Sequence, residues 1–242
     1  MGIGIEIENL DKRMKATPAL QGITASLAPA TLHGLIGPDG AGKTTLMRLL
    51  AGLLRPDRGQ IRFTEEGRLL PFDEAKLRIA YMPQQQSLYP DLSIGEHLDF
   101  FRDLYRIPAE TYRSRREELL KLARLETFVD RSTSKLSGGM YKKLGLICTL
   151  LQSPAVLLLD EPTNGVDPIS RRELWDLLYR QVEGGMLVLL STAYMDEAER
   201  CGRVHILDEG RLLASGEPRD ILAREGATSF EAFFLRREGT AT

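Results

Sequence analysis

The run Gly37-Pro38-Asp39-Gly40-Ala41-Gly42-Lys43-Thr44 satisfies G-x-x-x-x-G-K-[ST], a spacing whose chemistry is the capture of phosphate. Glycines without a Cβ let successive backbone N–H groups converge on phosphate oxygens, and a helix start just behind them adds partial positive charge. Lys43 supplies a point charge for β and γ phosphates, and the Thr44 hydroxyl is placed to ligate Mg2+. The nucleotide-binding stretch is read as Gly37, Pro38, Asp39, Gly40, Ala41, Gly42, Lys43, Thr44 and Thr45. Asp39 is expected to face solvent, because a carboxylate aimed at phosphates would repel them.

A second chemical group ends an apolar run, Val156-Leu157-Leu158-Leu159-Asp160-Glu161. Two acids at the C-terminal end of a strand sit where ligands of α/β sheets bind. Asp160 would hold Mg2+ through the water shell that this ion keeps. Glu161, one residue further and turned toward a γ phosphate, is the natural base or orienter for an attacking water. Leu136-Ser137-Gly138-Gly139-Met140 is a third candidate. Ser-Gly-Gly at a helix start offers exposed N–H groups, a hydroxyl and the helix dipole to an anion, although the same residues also serve as an ordinary N-cap. Two phosphate-binding ends on one chain, where one nucleotide needs one cradle, suggest that Ser137, Gly138 and Gly139 bind the nucleotide of a neighbour.

These residues need elements to hold them. Leu32 to Ile36 reads as a short strand before the glycine loop, and Leu46, Leu49, Leu50 and Leu53 fall at i, i+3, i+4, i+7, predicting a helix that ends before Pro56. Ala155 to Leu159 and Met186 to Ser191 are continuously apolar, as strands covered on both faces of a parallel sheet would be. Asp167-Pro168 reads as an N-cap and N1 proline opening a helix through Leu174 and Leu178 that closes at Gly184-Gly185. Alternation in Ile3-Gly4-Ile5-Glu6-Ile7-Glu8 predicts a half-buried strand of an antiparallel sheet. From about Leu88 to Leu151 the spacing is helical, without a strand, and predicts an inserted helical subdomain. Val204 to Leu207, Asp208-Glu209-Gly210 and Arg211 to Ala214 read as strand, turn and strand, and Phe230 to Arg236 as a short helix before a frayed tail.

Composition narrows the function classes. The chain has 242 residues, with 32 Lys+Arg against 34 Asp+Glu. A net charge of -2 gives no global basic field for nucleic acid or acidic lipid, so nucleic acid is not an expected partner. The longest apolar runs are about five residues, far short of the roughly 18 that cross a bilayer. The opening residues lack the pattern of a secretory leader. Two lone cysteines, Cys148 and Cys201, build neither a disulfide framework nor a zinc site and read as buried fillers. The Arg/Glu-rich run from Arg113 to Arg124 reads as a solvated helix face, and Trp175 and Tyr179 as packing.

The glycine loop, Leu136 to Met140 in the place of an L-S-G-G-Q signature, and Leu159-Asp160-Glu161-Pro162-Thr163, in that order, resemble the nucleotide-binding domain of ATP-binding cassette (ABC) transporters over essentially the whole length. The resemblance implies an α/β fold: a P-loop NTPase core with an N-terminal antiparallel β-subdomain and an inserted α-helical subdomain, in one domain over 1–242. It implies ATP and Mg2+ as ligands. It assigns Gln84, in Tyr81-Met82-Pro83-Gln84, to the lid that touches Mg2+ and the attacking water, and Asp167 to the dimer seam. It implies a head-to-tail dimer, homomeric or heteromeric, with ATP sandwiched between one subunit's phosphate loop and the other's signature. The segment after Gln84 is expected to meet a transmembrane permease at the cytoplasmic face of the cell membrane.

Three positions depart from the family pattern. Leu190-Ser191-Thr192-Ala193-Tyr194 carries alanine where the family has a histidine that reaches the γ phosphate, which predicts slow hydrolysis or dependence on a complete partner site. Met14 stands where an aromatic stacks on adenine and offers less stacking area. Met140 replaces the signature's glutamine. The leading expectation is an ATPase subunit driving export through separate permease chains. The alternative is a hydrolysis-poor regulatory module paired with a catalytic sister cassette, favoured by Ala193. A cassette acting on ribosomes or DNA is disfavoured by the near-neutral charge.

Overall fold

β1 (Ile3–Met14) buries Ile3, Ile5 and Ile7 while Glu6 faces solvent, as the period-2 alternation requires. The computed structural model to which it belongs describes residues 2–239; Met1 and the tail 240–242, where the sequence suggests fraying, lie outside the described residues. β1 turns back into β2 (Thr17–Leu27), and the chain then passes through β3 (Leu32–Ile36) and α1 (Lys43–Leu50) before β4 (Arg58–Glu65) and β5 (Arg68–Leu70). β4 runs antiparallel along the free edge of β1, with Ile5 opposite Phe63, so the first sheet has the order β2-β1-β4-β5. It is antiparallel as expected, but the phosphate-loop helix interrupts it in sequence. Only β1 of its four strands is legible from alternation.

The chain continues through α2 (Phe72–Ala75), β6 (Ile79–Met82), α3 (Ile94–Tyr105), α4 (Ala109–Ala123), α5 (Gly138–Leu150), β7 (Val156–Asp160) and α6 (Pro168–Glu183). It closes with β8 (Leu187–Thr192), α7 (Met195–Ala198), β9 (Arg203–Asp208), β10 (Arg211–Gly216), α8 (Pro218–Arg224) and α9 (Phe230–Gly239). The second sheet has the order β10-β9-β3-β8-β7-β6, parallel except for the β9–β10 hairpin at its edge.

The continuous apolar runs are explained by this sheet. In β7, Val156 and Leu158 pack with α1 and the antiparallel sheet, whereas Leu157 and Leu159 pack with α5 and α6 on the other face. β8 divides the same way, Leu187 and Leu189 against Val188 and Leu190. All eight side chains are at most 1% exposed, and each contributes about 1.5–3 kcal/mol of burial.

Between β6 and β7 the chain is helical. Ser93 and Glu96 form a capping box at the start of α3, and Leu144, Ile147, Cys148 and Leu151 line the buried side of α5 and its end. Arg113, Glu117, Glu118 and Lys121 lie on the solvent side of α4. Burial pushes the thiols of both cysteines up, Cys201 to about 12, as suits inert packing. One sequence expectation is corrected. Leu53 lies beyond α1 and is 62% exposed, because Leu53 N–H bonds Arg48 O at 2.8 Å and Gly52 N–H bonds Leu49 O at 3.0 Å. This Schellman closure ends the helix one turn early.

Candidate functional site

β3 delivers the chain to the phosphate loop, which is shaped by a close approach to β2 and by the lysine inside it. Gly42 has φ +104, and a Cβ there would lie 2.6 Å from Ala19 O, so the loop can lie against β2 only with glycine at this position. Lys43 opens α1 with its side chain 5% exposed; Nζ donates to Gly37 O at 2.8 Å and Pro38 O at 3.1 Å. The ammonium therefore spans the mouth of the loop from inside, where phosphate oxygens can replace the carbonyls. Asp39 is exposed, as its charge predicts.

β7 brings in the carboxylates. Asp160 is fully buried; Ser191 Oγ donates to its Oδ1 at 2.6 Å and the Tyr81 hydroxyl to its Oδ2 at 3.3 Å. Burial, with the charge of Asp160 beside it, raises the Tyr81 pKa. Glu161 adopts φ +49, a left-handed conformation that costs roughly 1–2 kcal/mol for a non-glycine residue. Its N–H is held by Ser191, at 3.2 Å to the carbonyl and 3.1 Å to Oγ, and this turn aims the side chain at the phosphate loop. Glu161 Oε1 lies 4.0 Å from Lys43 Nζ. Its Oε2 accepts from Gln84 Nε2 at 2.7 Å and from Asn164 Nδ2 at 3.2 Å.

Gln84 sits on the loop after β6, and the first turns of α5 clamp that loop. Lys142 Nζ donates to Gln84 O at 2.9 Å, and the Tyr141 hydroxyl donates to Gln86 O at 2.9 Å while accepting from Leu88 N–H at 3.1 Å. Burial lowers the Lys142 pKa. Sequence reading missed Tyr141 and Lys142, because no motif signals a bond between elements so far apart in the chain, and Asn164, because no motif tells that its amide turns back onto Glu161 three residues earlier.

A cleft of about 360 Å³ is lined by Ala19, Asp39, Gly40, Ala41, Gly42, Lys43, Thr44, Thr45, Gln84 and Glu161. Nearly every expected phosphate-loop residue thus meets the expected glutamine and glutamate in one place. Met14, 42% exposed at the end of β1, is not among the lining residues, and neither are Ser137, Gly138, Gly139 and Asp167. These last four form a separate group. Ser137 Oγ caps α5 by accepting from Met140 N–H at 3.3 Å, and Asp167 Oδ1 caps α6 by accepting from Ile169 and Ser170 N–H at 3.1 and 3.0 Å. A Cβ on Gly139 would lie 2.3 Å from Ser170 Oγ, so glycine is what lets the two helix starts meet.

The donor set suits a hard cation. Thr44, Asp160 and the carbonyl oxygen that Gln84 keeps free of Glu161 are all oxygen donors.

Comparison with known proteins agrees with this geometry. Residues 20–164 match the family model described as ABC transporter. The chain is 44% identical over 234 residues to the probable multidrug ABC transporter ATP-binding protein YbhF of Escherichia coli, covering 93% of this chain and 39% of that protein. It therefore spans well under half the length of that relative. It is 37% identical over 229 residues to the Nod factor export ATP-binding protein I of Ralstonia nicotianae, covering 93% of this chain and 71% of that one. Among solved structures, an ATP binding subunit of an ABC transporter superimposes with a TM-score of 0.84 at 30% identity, over 96% of this chain and 98% of that one. With a phosphate loop facing a glutamate on the next strand but one, and these likenesses along almost its entire length, the chain belongs to the ABC transporter family as an ATP-binding cassette.

Proposed function

We propose that this cassette binds and hydrolyses Mg2+·ATP to drive export through a separate membrane permease. The observation that carries the reading is the convergence of Lys43, Gln84 and Glu161 on the phosphate loop. The loop amides and Lys43 hold the triphosphate, and Glu161 takes the proton of a water that attacks the γ phosphorus as the bond to ADP breaks. Gln84 bonds Glu161 and leaves its carbonyl for the cation. Thr44 and Gln84 would ligate Mg2+ directly and Asp160 through water; the ion would neutralise charge developing on the phosphates.

Dimerisation is supported by what the cleft lacks. Ser137, Gly138 and Gly139 lie outside its lining, and in the proposed dimer a second cassette brings them to the nucleotide, head to tail, with Asp167 at the seam. Among the described residues no helix is long and apolar enough to cross a membrane. A permease chain would supply the pathway, with the cassette at the cytoplasmic face. The names of the relatives, multidrug transporter and Nod factor export, support export. The regulatory alternative rests on Ala193 alone.

The test is Glu161→Gln, which removes the base and keeps the shape. Phosphate release at saturating ATP should fall about 10²- to 10⁴-fold, the span of general-base contributions. Nucleotide binding should persist, and a dimer should accumulate on a sizing column. Undiminished turnover would remove Glu161 from the chemistry.

A further inference from the structure

We propose that Asn164 and Tyr194 are positioning residues that orient the Glu161 carboxylate, a role that rests on the ATPase reading above. Glu161 Oε2 accepts from Asn164 Nδ2 at 3.2 Å, and Asn164 Oδ1 accepts from the Tyr194 hydroxyl at 3.3 Å. The direction of these bonds is fixed. A phenol donating to Oδ1 sets the carboxamide so that its NH2 points at Glu161, which as a carboxylate can only accept. Together with the Gln84 donor on the same oxygen, this leaves Oε1, on the Lys43 side, as the oxygen directed at the substrate.

Asn164 is an exposed loop residue that would otherwise sample several rotamers, so its value as a donor depends on what holds it. Tyr194 is itself held. The Arg171 guanidinium lies over its ring, 4.5 Å from the centroid, and Arg171 Nε donates to the fully buried Glu197 at 2.7 Å. Glu197 also accepts from Thr163 Oγ1 at 3.0 Å, which fixes the backbone beside Asn164. Arg171 belongs to the first turn of α6, whose N-cap is Asp167. The carboxylate is therefore tied, through Asn164, Tyr194 and Arg171, to the helix start expected at the dimer seam. Ala193, which precedes Tyr194 and lines with it a second, adjoining cleft shared with Glu161 and Asn164, has only a methyl group and orients nothing. Both bonds are long, as such bonds are before substrate draws a site together.

The experiment measures kcat, KM and ATP affinity of the full chain for Tyr194→Phe, Asn164→Ala, the double variant, and each single change in the Glu161→Gln background. Tyr194→Phe keeps the exposed ring on Arg171, so folding is not at risk, and a thermal melt checks it. One lost neutral hydrogen bond of about 1 kcal/mol corresponds to a roughly 5-fold fall in kcat, with KM and affinity unchanged. The double variant should be no slower than Asn164→Ala, because the tyrosine acts only through the asparagine. In the Glu161→Gln background neither change should slow the residual rate further, which a general structural role would not reproduce. Unchanged kcat in Tyr194→Phe, additive losses in the double variant, or equal losses without the carboxylate each overturn the positioning role and leave the ATPase reading standing. Wild-type turnover insensitive to Glu161→Gln would instead overturn both.

Discussion

The Lys43 ammonium stands 4.0 Å from Glu161 Oε1 while it donates to the carbonyls of Gly37 and Pro38. A nearly buried cation is thus satisfied by the loop itself and already lies beside the carboxylate that would direct water. Lys43→Ala removes the point charge for the terminal phosphates. A charge-assisted hydrogen bond of about 1.5–3 kcal/mol predicts an affinity loss of roughly 10- to 150-fold. Equilibrium titration with a fluorescent ATP analogue reads this directly, and an unaltered affinity would refute the phosphate-loop assignment.

The parts legible in the sequence were those whose chemistry is local. Gly37 to Thr44 declares itself because loop, lysine and helix start are contiguous, and Asp167-Pro168 because a cap is read within three residues. Lys142, Asn164 and Tyr194 were not legible. Lys142 meets Gln84 only because α5 packs beside the loop after β6, and Tyr194 meets Asn164 only through the parallel pairing of β7 with β8; Asn164 is just three residues from Glu161, but no pattern in the sequence says that the turn folds its amide back onto the carboxylate. β2 shows no readable alternation because its buried positions are interrupted by Gln21 and Gly22, while β4 and β5 carry arginines on their exposed sides.

Gly139 has no room for a side chain. An added Cβ would lie 2.3 Å from Ser170 Oγ and 2.4 Å from Ser170 Cβ, so rotating the hydroxyl away gives no relief. Gly139→Ala should push the start of α5 off α6 and cost about 1–3 kcal/mol, the usual penalty of overpacking. Urea denaturation should show a lower midpoint at an unchanged slope. Adding Ser170→Gly should restore most of the loss; failure to restore it would place the cost elsewhere in α5.

Buried histidines give the fold an acid limit. His33 Nε2 faces Ala28 O at 3.1 Å, His33 Nδ1 lies 3.0 Å from His205 Nε2, and Ser215 Oγ lies 2.9 Å from His205 Nδ1. A carbonyl only accepts, so His33 carries its proton on Nε2, His205 donates from Nε2, and the serine donates to His205 Nδ1. Both rings are neutral, and burial pushes His33 down to about 4 and His205 to about 3, each reinforced by the charge of Arg203. His97 is lowered by burial as well. The unfolded chain, with histidines near 6.5, takes up protons first as pH falls. Stability should be complete above about pH 6.5 and decline toward pH 4, by up to about 1.4 kcal/mol per pH unit for each histidine. Asp57 and Glu65, held low by Lys12 and Arg78, add acid sensitivity only below their ordinary values of 3.8 and 4.5. Urea melts between pH 7.5 and 5 therefore isolate the histidines. A flat profile across that range would contradict the neutral pair.

Ala193 is exposed and shares a cleft with Asp39, Gln84, Glu161, Asn164 and Tyr194, so an imidazole there meets open space rather than a packed wall. On β8 and the turn after it, Ser191 Oγ donates to Asp160, the buried Thr192 hydroxyl accepts from Tyr194 N–H, and Ala193 has no side-chain donor for the γ phosphate. Ala193→His should supply one. A hydrogen bond to a charged group of about 1.5–3 kcal/mol, strengthened as charge develops in the transition state, predicts a rise in kcat of at least about tenfold with little change in KM. Phosphate release at saturating ATP measures it. The histidine would act on the phosphate and Tyr194 on Glu161 through Asn164, so the gain should survive in the Tyr194→Phe background. If turnover does not rise, the missing donor is not what limits the rate, and the slow step lies in dimer closure or product release instead.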